Sequence, residues 1–153
     1  MKINIFFLCM IFSAMYIQKT ADTHAKTTYN AIKKHSIAYG VPDNIAFGIA
    51  YYETRYCGPD HYAYNPFLVS SGGAVGPMQI IWQYSLPHWP NKYYTAKQLL
   101  MDIDFNIETS MRIMSSHYKT TRNWKLALGM YHTGQPVIDW YSRAVYNYKP
   151  NFK

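Results

Sequence analysis

The chain has 153 residues, 49% of them hydrophobic and 15% charged, with a formal net charge of +7. That length and balance suit one globular domain with its own core and exclude wholesale disorder. The basic surplus favours an anionic polymer as partner, but no Lys/Arg cluster is denser than Lys33-Lys34, so nucleic acid is not expected.

Residues 1–25 read as a signal peptide rather than as part of the fold. Lys2 supplies a short positive start, Ile3 to Ile17 is an apolar run broken by Asn4 and Ser13, and Thr23-His24-Ala25 offers a small residue at the cleavage position. The run falls short of the ~20 residues of a membrane helix, so a cleaved leader is expected and an uncleaved anchor is the alternative. The expectation is an exported protein (periplasm or cell envelope) whose working domain is 26–153. Cleavage would leave Cys57 as the only cysteine, with no intramolecular disulfide to form.

Tyr29, Ile32, Ile37 and Tyr39 predict a helix over 26–39 that stops at Gly40. Val41-Pro42-Asp43-Asn44 opens the next helix, where Ile45, Ile49 and Glu53 recur every four residues. Glu53 therefore lies at the edge of an apolar stripe and at the negative end of the helix dipole. Both burial and the dipole disfavour its ionised form, as a general acid near neutral pH requires. The competing reading is a surface glutamate paired with Arg55 or a lysine.

Gly58-Pro59-Asp60 and Asn65-Pro66 mark an irregular connection, and Ser70 to Gly76 a glycine-rich, non-helical turn. That turn lacks the Gly-Lys-Ser/Thr of a phosphate loop and has no strand-helix unit around it, so nucleotide binding is not expected. Met78 to Tyr84 reads as the start of a short helix interrupted before Pro87. Trp82 and Trp89 are open between core and groove. Asp104 is the expected N-cap of a longer helix whose Ile107, Met111, Met114 and Tyr118 form a core stripe. Asn123 caps a helix bearing Trp124, Leu128 and Tyr131 that ends at Gly134. Gln135-Pro136 opens the last, with Tyr141 and Tyr148 on it. No segment alternates convincingly as a strand. The reading is one mainly α domain of five to seven helices, and its 18% aromatic content suits both packing and a sugar groove.

Four stretches in order resemble the catalytic domain of soluble lytic transglycosylases, which share the goose-type lysozyme fold. They are Glu53-Thr54; Ser70 with Gly73-Ala74-Val75-Gly76-Pro77-Met78-Gln79; Asn106-Ile107; and Ala127-Leu128-Gly129-Met130-Tyr131-His132-Thr133-Gly134. The family patterns are roughly Glu-Ser, Ser-x-x-Gly-Ala-x-Gly-Leu-Met-Gln, Asn-Ile and Ala-Leu-Ala-Ala-Tyr-Asn-Ala-Gly. The resemblance implies cleavage of the β-1,4 bond between N-acetylmuramic acid and N-acetylglucosamine in peptidoglycan, leaving a 1,6-anhydromuramoyl end. It implies Glu53 as sole acid and base, with Tyr131 hydrogen-bonded to its carboxylate. It further implies substrate contacts at Ser70, Gly73, Ala74, Gly76, Met78, Gln79 and His132. No metal or cofactor is implied, and the six histidines include no i, i+4 pair.

The departures are Thr54 for Ser, Pro77 for Leu, His132 for Asn, and Ile80-Ile81-Trp82-Gln83-Tyr84 after the turn. In goose-type lysozymes an aspartate beyond the glutamate helix can position a water, so Asp60 carries a rival, hydrolytic reading. A non-catalytic peptidoglycan-binding or assembly protein is the alternative from another class. The expected partners are peptidoglycan glycan strands. Size and leader together suggest a monomer working with an envelope-spanning secretion, conjugation or phage-entry apparatus.

Overall fold

The computed structural model describes residues 23–152. Most of them are helical: α1 (23–39), α2 (Asp43–Thr54), α3 (Trp82–Ser85), α4 (Ala96–Met101), α5 (Ile103–Thr121), α6 (Trp124–Thr133) and α7 (Trp140–Tyr146). A 3-10 turn at Leu86–His88 follows α3. The two-residue strands β1 (Ala74–Val75) and β2 (Ile80–Ile81) pair antiparallel, Ala74 opposite Ile81 and Val75 opposite Ile80. The expected mainly α, single-domain, lysozyme-like architecture is therefore the one found. None of the described helices is long and apolar enough to cross a membrane. The leader lies outside the described residues up to Asp22, and its expected processing point, between Ala25 and Lys26, falls within α1.

The core forms around α5. Ile107, Met111 and Met114, the stripe read from spacing, are fully buried with Leu128 of α6, Ile45 and Ile49 of α2 and Val145 of α7. Each such side chain contributes about 1.5–3 kcal/mol through area removed from water. Helix α5 packs on α6, α6 on α7, and α7 on α2. A polar seam ties α1 to α5: Asp104 meets Lys34 and His35, and the Tyr39 hydroxyl donates to Glu108 at 2.9 Å.

Several boundaries differ from the sequence reading. The N-cap of α5 is Asp102, whose carboxylate accepts from Phe105 N at 2.9 Å; Asp104 instead occupies the first turn and faces α1. Asn123 does cap α6, and Gly134 ends it with φ of 77°. Helix α7 starts late: Pro136 opens no helix, and Asp139 is the cap, accepting from Ser142 N at 2.8 Å. Met78 to Tyr84 is not one helix either, since Ile80 and Ile81 pair with β1 before α3 begins. Trp82 and Trp89 belong to the packing, their indole N–H groups donating to Tyr94 O and Thr109 Oγ1.

Candidate active site

Glu53 sits in the last turn of α2, and Arg55 ends that helix in the left-handed conformation. Thr54 anchors the turn. Its buried hydroxyl reaches Ala50 O at 3.1 Å and Pro77 O at 3.0 Å and accepts from the Tyr64 hydroxyl at 2.9 Å. The end of α2 is thereby fastened to the glycine-rich turn, which is what brings the first two sequence motifs together.

The third motif fixes that turn from the other side. Asn106 is fully buried on α5; its Nδ2 donates to Val75 O and Leu99 O, and its Oδ1 accepts from Met78 N. A side chain at Gly76 would meet Asn106 Nδ2 at 2.3 Å, and the backbone there has φ of 79°. Glycine is required at 76 by Asn106 and by the left-handed backbone. Of the expected contacts Gly73, Ala74 and Gly76, Ala74 lines the groove and the two glycines do not.

The groove holds about 620 Å³, and its lining includes Glu53, Ala74, Gln79, Tyr131 and His132 together with Tyr84, His88 and His117. Gln79 lines it from a left-handed backbone (φ 47°), a conformation that costs a non-glycine residue energy and that clusters at functional sites. Its amide Nε2 donates to Leu68 O and Gly76 O, which leaves Oε1 as its hydrogen-bonding atom for a ligand. Met78 is fully buried and lines no part of the groove, so only its backbone serves the site. Ser70 is exposed on the turn and is not itself a lining residue; its Oγ accepts from Ala74 N at 3.0 Å and so closes the loop that presents Ala74 to the groove.

The tyrosine assignment is corrected as well. Tyr131 does not hold Glu53: its hydroxyl donates to Met78 O at 2.7 Å and accepts from Ser110 Oγ at 3.0 Å. The hydroxyl that reaches the carboxylate is that of Tyr141, 2.6 Å from Glu53 Oε1. Tyr141 had appeared in the sequence only as a packing residue. No motif marked it, and the signal that could have found it is its place on the helix packed against the end of α2. Gly48 allows that packing, since a Cβ there would come within 3.0 Å of Val145.

Burial raises the Glu53 carboxyl above the ordinary carboxylate range, against the Tyr141 hydrogen bond and the charge of His132, which act the other way. The hydroxyls of Tyr131 and Tyr141 are pushed well up by burial and by Glu53, so at neutral pH both are donors. Arg55 lies over the Tyr51 ring, and among the described residues no ion pair joins Glu53 to Arg55 or to a lysine. His132 lines the groove with Nδ1 bonded to Asp139 Oδ2 and its ring stacked on Tyr141 at 4.5 Å. Asp60 is an exposed turn residue and is not part of the groove lining.

This arrangement combines an open groove with a carboxyl whose ionised form burial disfavours and which one hydroxyl holds. A family model described as the transglycosylase SLT domain matches residues 30–151, nearly all of the described chain. The chain belongs to the transglycosylase SLT family. That family cleaves glycosidic bonds in peptidoglycan, and all four motif stretches of this SLT domain fall within the matched residues. No curated protein and no solved structure matches the chain.

Proposed function

We propose that this SLT domain is a peptidoglycan lytic transglycosylase in which Glu53 is both acid and base. The observation that carries the reading is a groove-lining carboxyl, raised by burial, whose hydrogen-bond partner is a tyrosine hydroxyl. The Tyr141 bond occupies Oε1 and leaves Oε2 to carry the proton.

In the first step Glu53 protonates the glycosidic oxygen as its bond to C1 of the muramoyl residue breaks, and the glucosamine leaves as an alcohol. The muramoyl N-acetyl oxygen supports the positive charge at C1. The carboxylate left behind is stabilised by Tyr141, a charge-assisted hydrogen bond being about twice as strong as a neutral one. In the second step Glu53 takes the proton from the C6 hydroxyl as that oxygen bonds to C1. The product is a 1,6-anhydro ring, and Glu53 is again protonated. No water is consumed, so one carboxyl suffices where hydrolytic glycosidases use two. Gln79, with its Oε1 left over, lines the groove as the group that addresses the sugars.

The apolar leader supports export, and the single domain supports a monomeric enzyme that opens the wall locally for an envelope-spanning secretion, conjugation or phage-entry apparatus. Mass spectrometry of muropeptides released from purified sacculi tests the chemistry. Products ending in 1,6-anhydromuramic acid are expected; reducing ends would mean hydrolysis and sink the proposal. For the cellular role, a strain lacking the protein should assemble such an apparatus poorly, and normal assembly of every one would overturn it.

A further inference from the structure

Asp139 has two partners on two elements. Its Oδ1 accepts from Ser142 N and caps α7, the helix that carries Tyr141, while its Oδ2 meets His132 Nδ1 at 2.5 Å at the end of α6. The His132 ring lies nearly parallel to the Tyr141 ring, 4.5 Å away and tilted by 13°. Tyr141 in turn donates to Glu53 at 2.6 Å. An imidazole can rotate freely about its bonds; one held at Nδ1 by a carboxylate cannot, and its face then limits where the neighbouring phenol can lie.

The close approach that makes this contact possible is also built into the chain. A Cβ at Gly129 would lie 1.8 Å from Val137 O, so the segment after α6 rests directly on that helix. This is what brings Asp139 back to His132, seven residues earlier.

We propose that Asp139 and His132 are a positioning pair for the candidate acid: Asp139 fixes the imidazole, the imidazole fixes the Tyr141 ring, and Tyr141 holds Glu53. The inference rests on Glu53 being the acid and base, and it assigns to both residues an effect on turnover rather than on glycan affinity. The pair also supplies charge. The charge of His132 favours the ionised Glu53, against the effect of burial. The groups that face Glu53 are Tyr141 of α7 and Tyr131 and His132 of α6, with Asp139 behind His132.

Asp139→Ser and His132→Asn separate this role from helix capping. Serine caps a helix as well as aspartate does but is too short to reach His132. Turnover of sacculi by the full chain and the titration of the Glu53 carboxyl carbon by NMR are measured together. Each variant is expected to lower kcat about tenfold with KM nearly unchanged, and the double variant to lose no more than the worse single one.

In both variants the Glu53 midpoint should rise, by about half a pH unit or more. If Asp139 acted only through its own charge, its removal would lower that midpoint. A fall, an unchanged midpoint, multiplying losses, or a loss confined to KM would each overturn the pairing. Because the NMR titration does not depend on turnover, it decides the pairing even if the cleavage reading fails. That failure would appear separately, as anhydro products from Glu53→Gln or none from the unmodified chain.

Discussion

The hydroxyl of Tyr141 donates to Glu53 across 88 residues of sequence, at 2.6 Å. Tyr131, which stands in the tyrosine motif, spends its hydrogen on the Met78 carbonyl instead. The two tyrosines thus divide one expected task. Tyr141 addresses the carboxyl, and Tyr131 holds the backbone of the turn that faces it.

Replacing Tyr141 with Phe should therefore act on the chemistry. Loss of a hydrogen bond to a charged group, about 1.5–3 kcal/mol, predicts a fall in kcat of roughly 10- to 150-fold. The Glu53 carboxyl should rise further, carrying the alkaline limb of the kcat profile upward. Tyr131→Phe should cost about 1–3 kcal/mol of stability, seen in chemical denaturation, because the buried Met78 carbonyl loses its donor. If Tyr131→Phe cost more kcat than Tyr141→Phe, the division would be wrong.

Glu53→Gln should lower cleavage at least about 100-fold and leave the fold intact. The direction of its effect on stability follows from linkage. A carboxyl raised in the folded state binds its proton more tightly there than in the unfolded chain, so stability falls as pH climbs from the unfolded value through the folded one. The glutamine variant is free of that loss and should be as stable as the parent, or more so, at neutral pH. Thermal melts at acid and neutral pH will show it. A rate that rises, rather than falls, as pH passes upward through the Glu53 titration would contradict its role as acid.

Asp60→Asn should leave both the rate and the anhydro product unchanged, because Asp60 is exposed and outside the groove lining. A switch in product ends on muropeptide analysis would restore the water-positioning reading.

Asn106→Leu removes a buried amide that serves three backbone groups: Val75 O, Leu99 O and Met78 N. Leaving these unpaired should cost about 3 kcal/mol or more. Cleavage should fall as well, since Gly76 and the turn lose the surface they rest on. Urea titration and the sacculus assay separate the two effects.

The fully buried Tyr56 donates its hydroxyl to Ala25 O at 2.9 Å. A chain starting at Lys26 lacks that acceptor and should be about 1–3 kcal/mol less stable than one starting at Thr23. Equal melting behaviour would show that the hydroxyl finds another partner.

Much of the fold was legible because its signals are local. The α5 stripe of Ile107, Met111 and Met114, the Asn123 cap and the Gly134 stop each depend on spacing within a few residues. The errors arose where a distant contact outweighed local chemistry. Asp104 looks like a cap, but Asp102 takes that place while Asp104 turns to Lys34 and His35. Pro136 looks like a helix start, yet Gly129 draws the following backbone onto α6 and delays α7 until Asp139. In the site, Glu53, Gln79 and His132, read from the motif order, line the groove. Met78, Gly76 and Ser70 turned out to support the turn rather than face the groove, and Tyr141 had no local mark at all.

The contact between Gly129 and the Val137 carbonyl has an evolutionary corollary. Any side chain at 129 would lift the segment that returns Asp139 to the groove, so glycine there and histidine at 132 should be inherited together. Relatives that carry alanine at the first position should have given up histidine at the second, and a chain switched at only one of them should be the least fit of the four combinations.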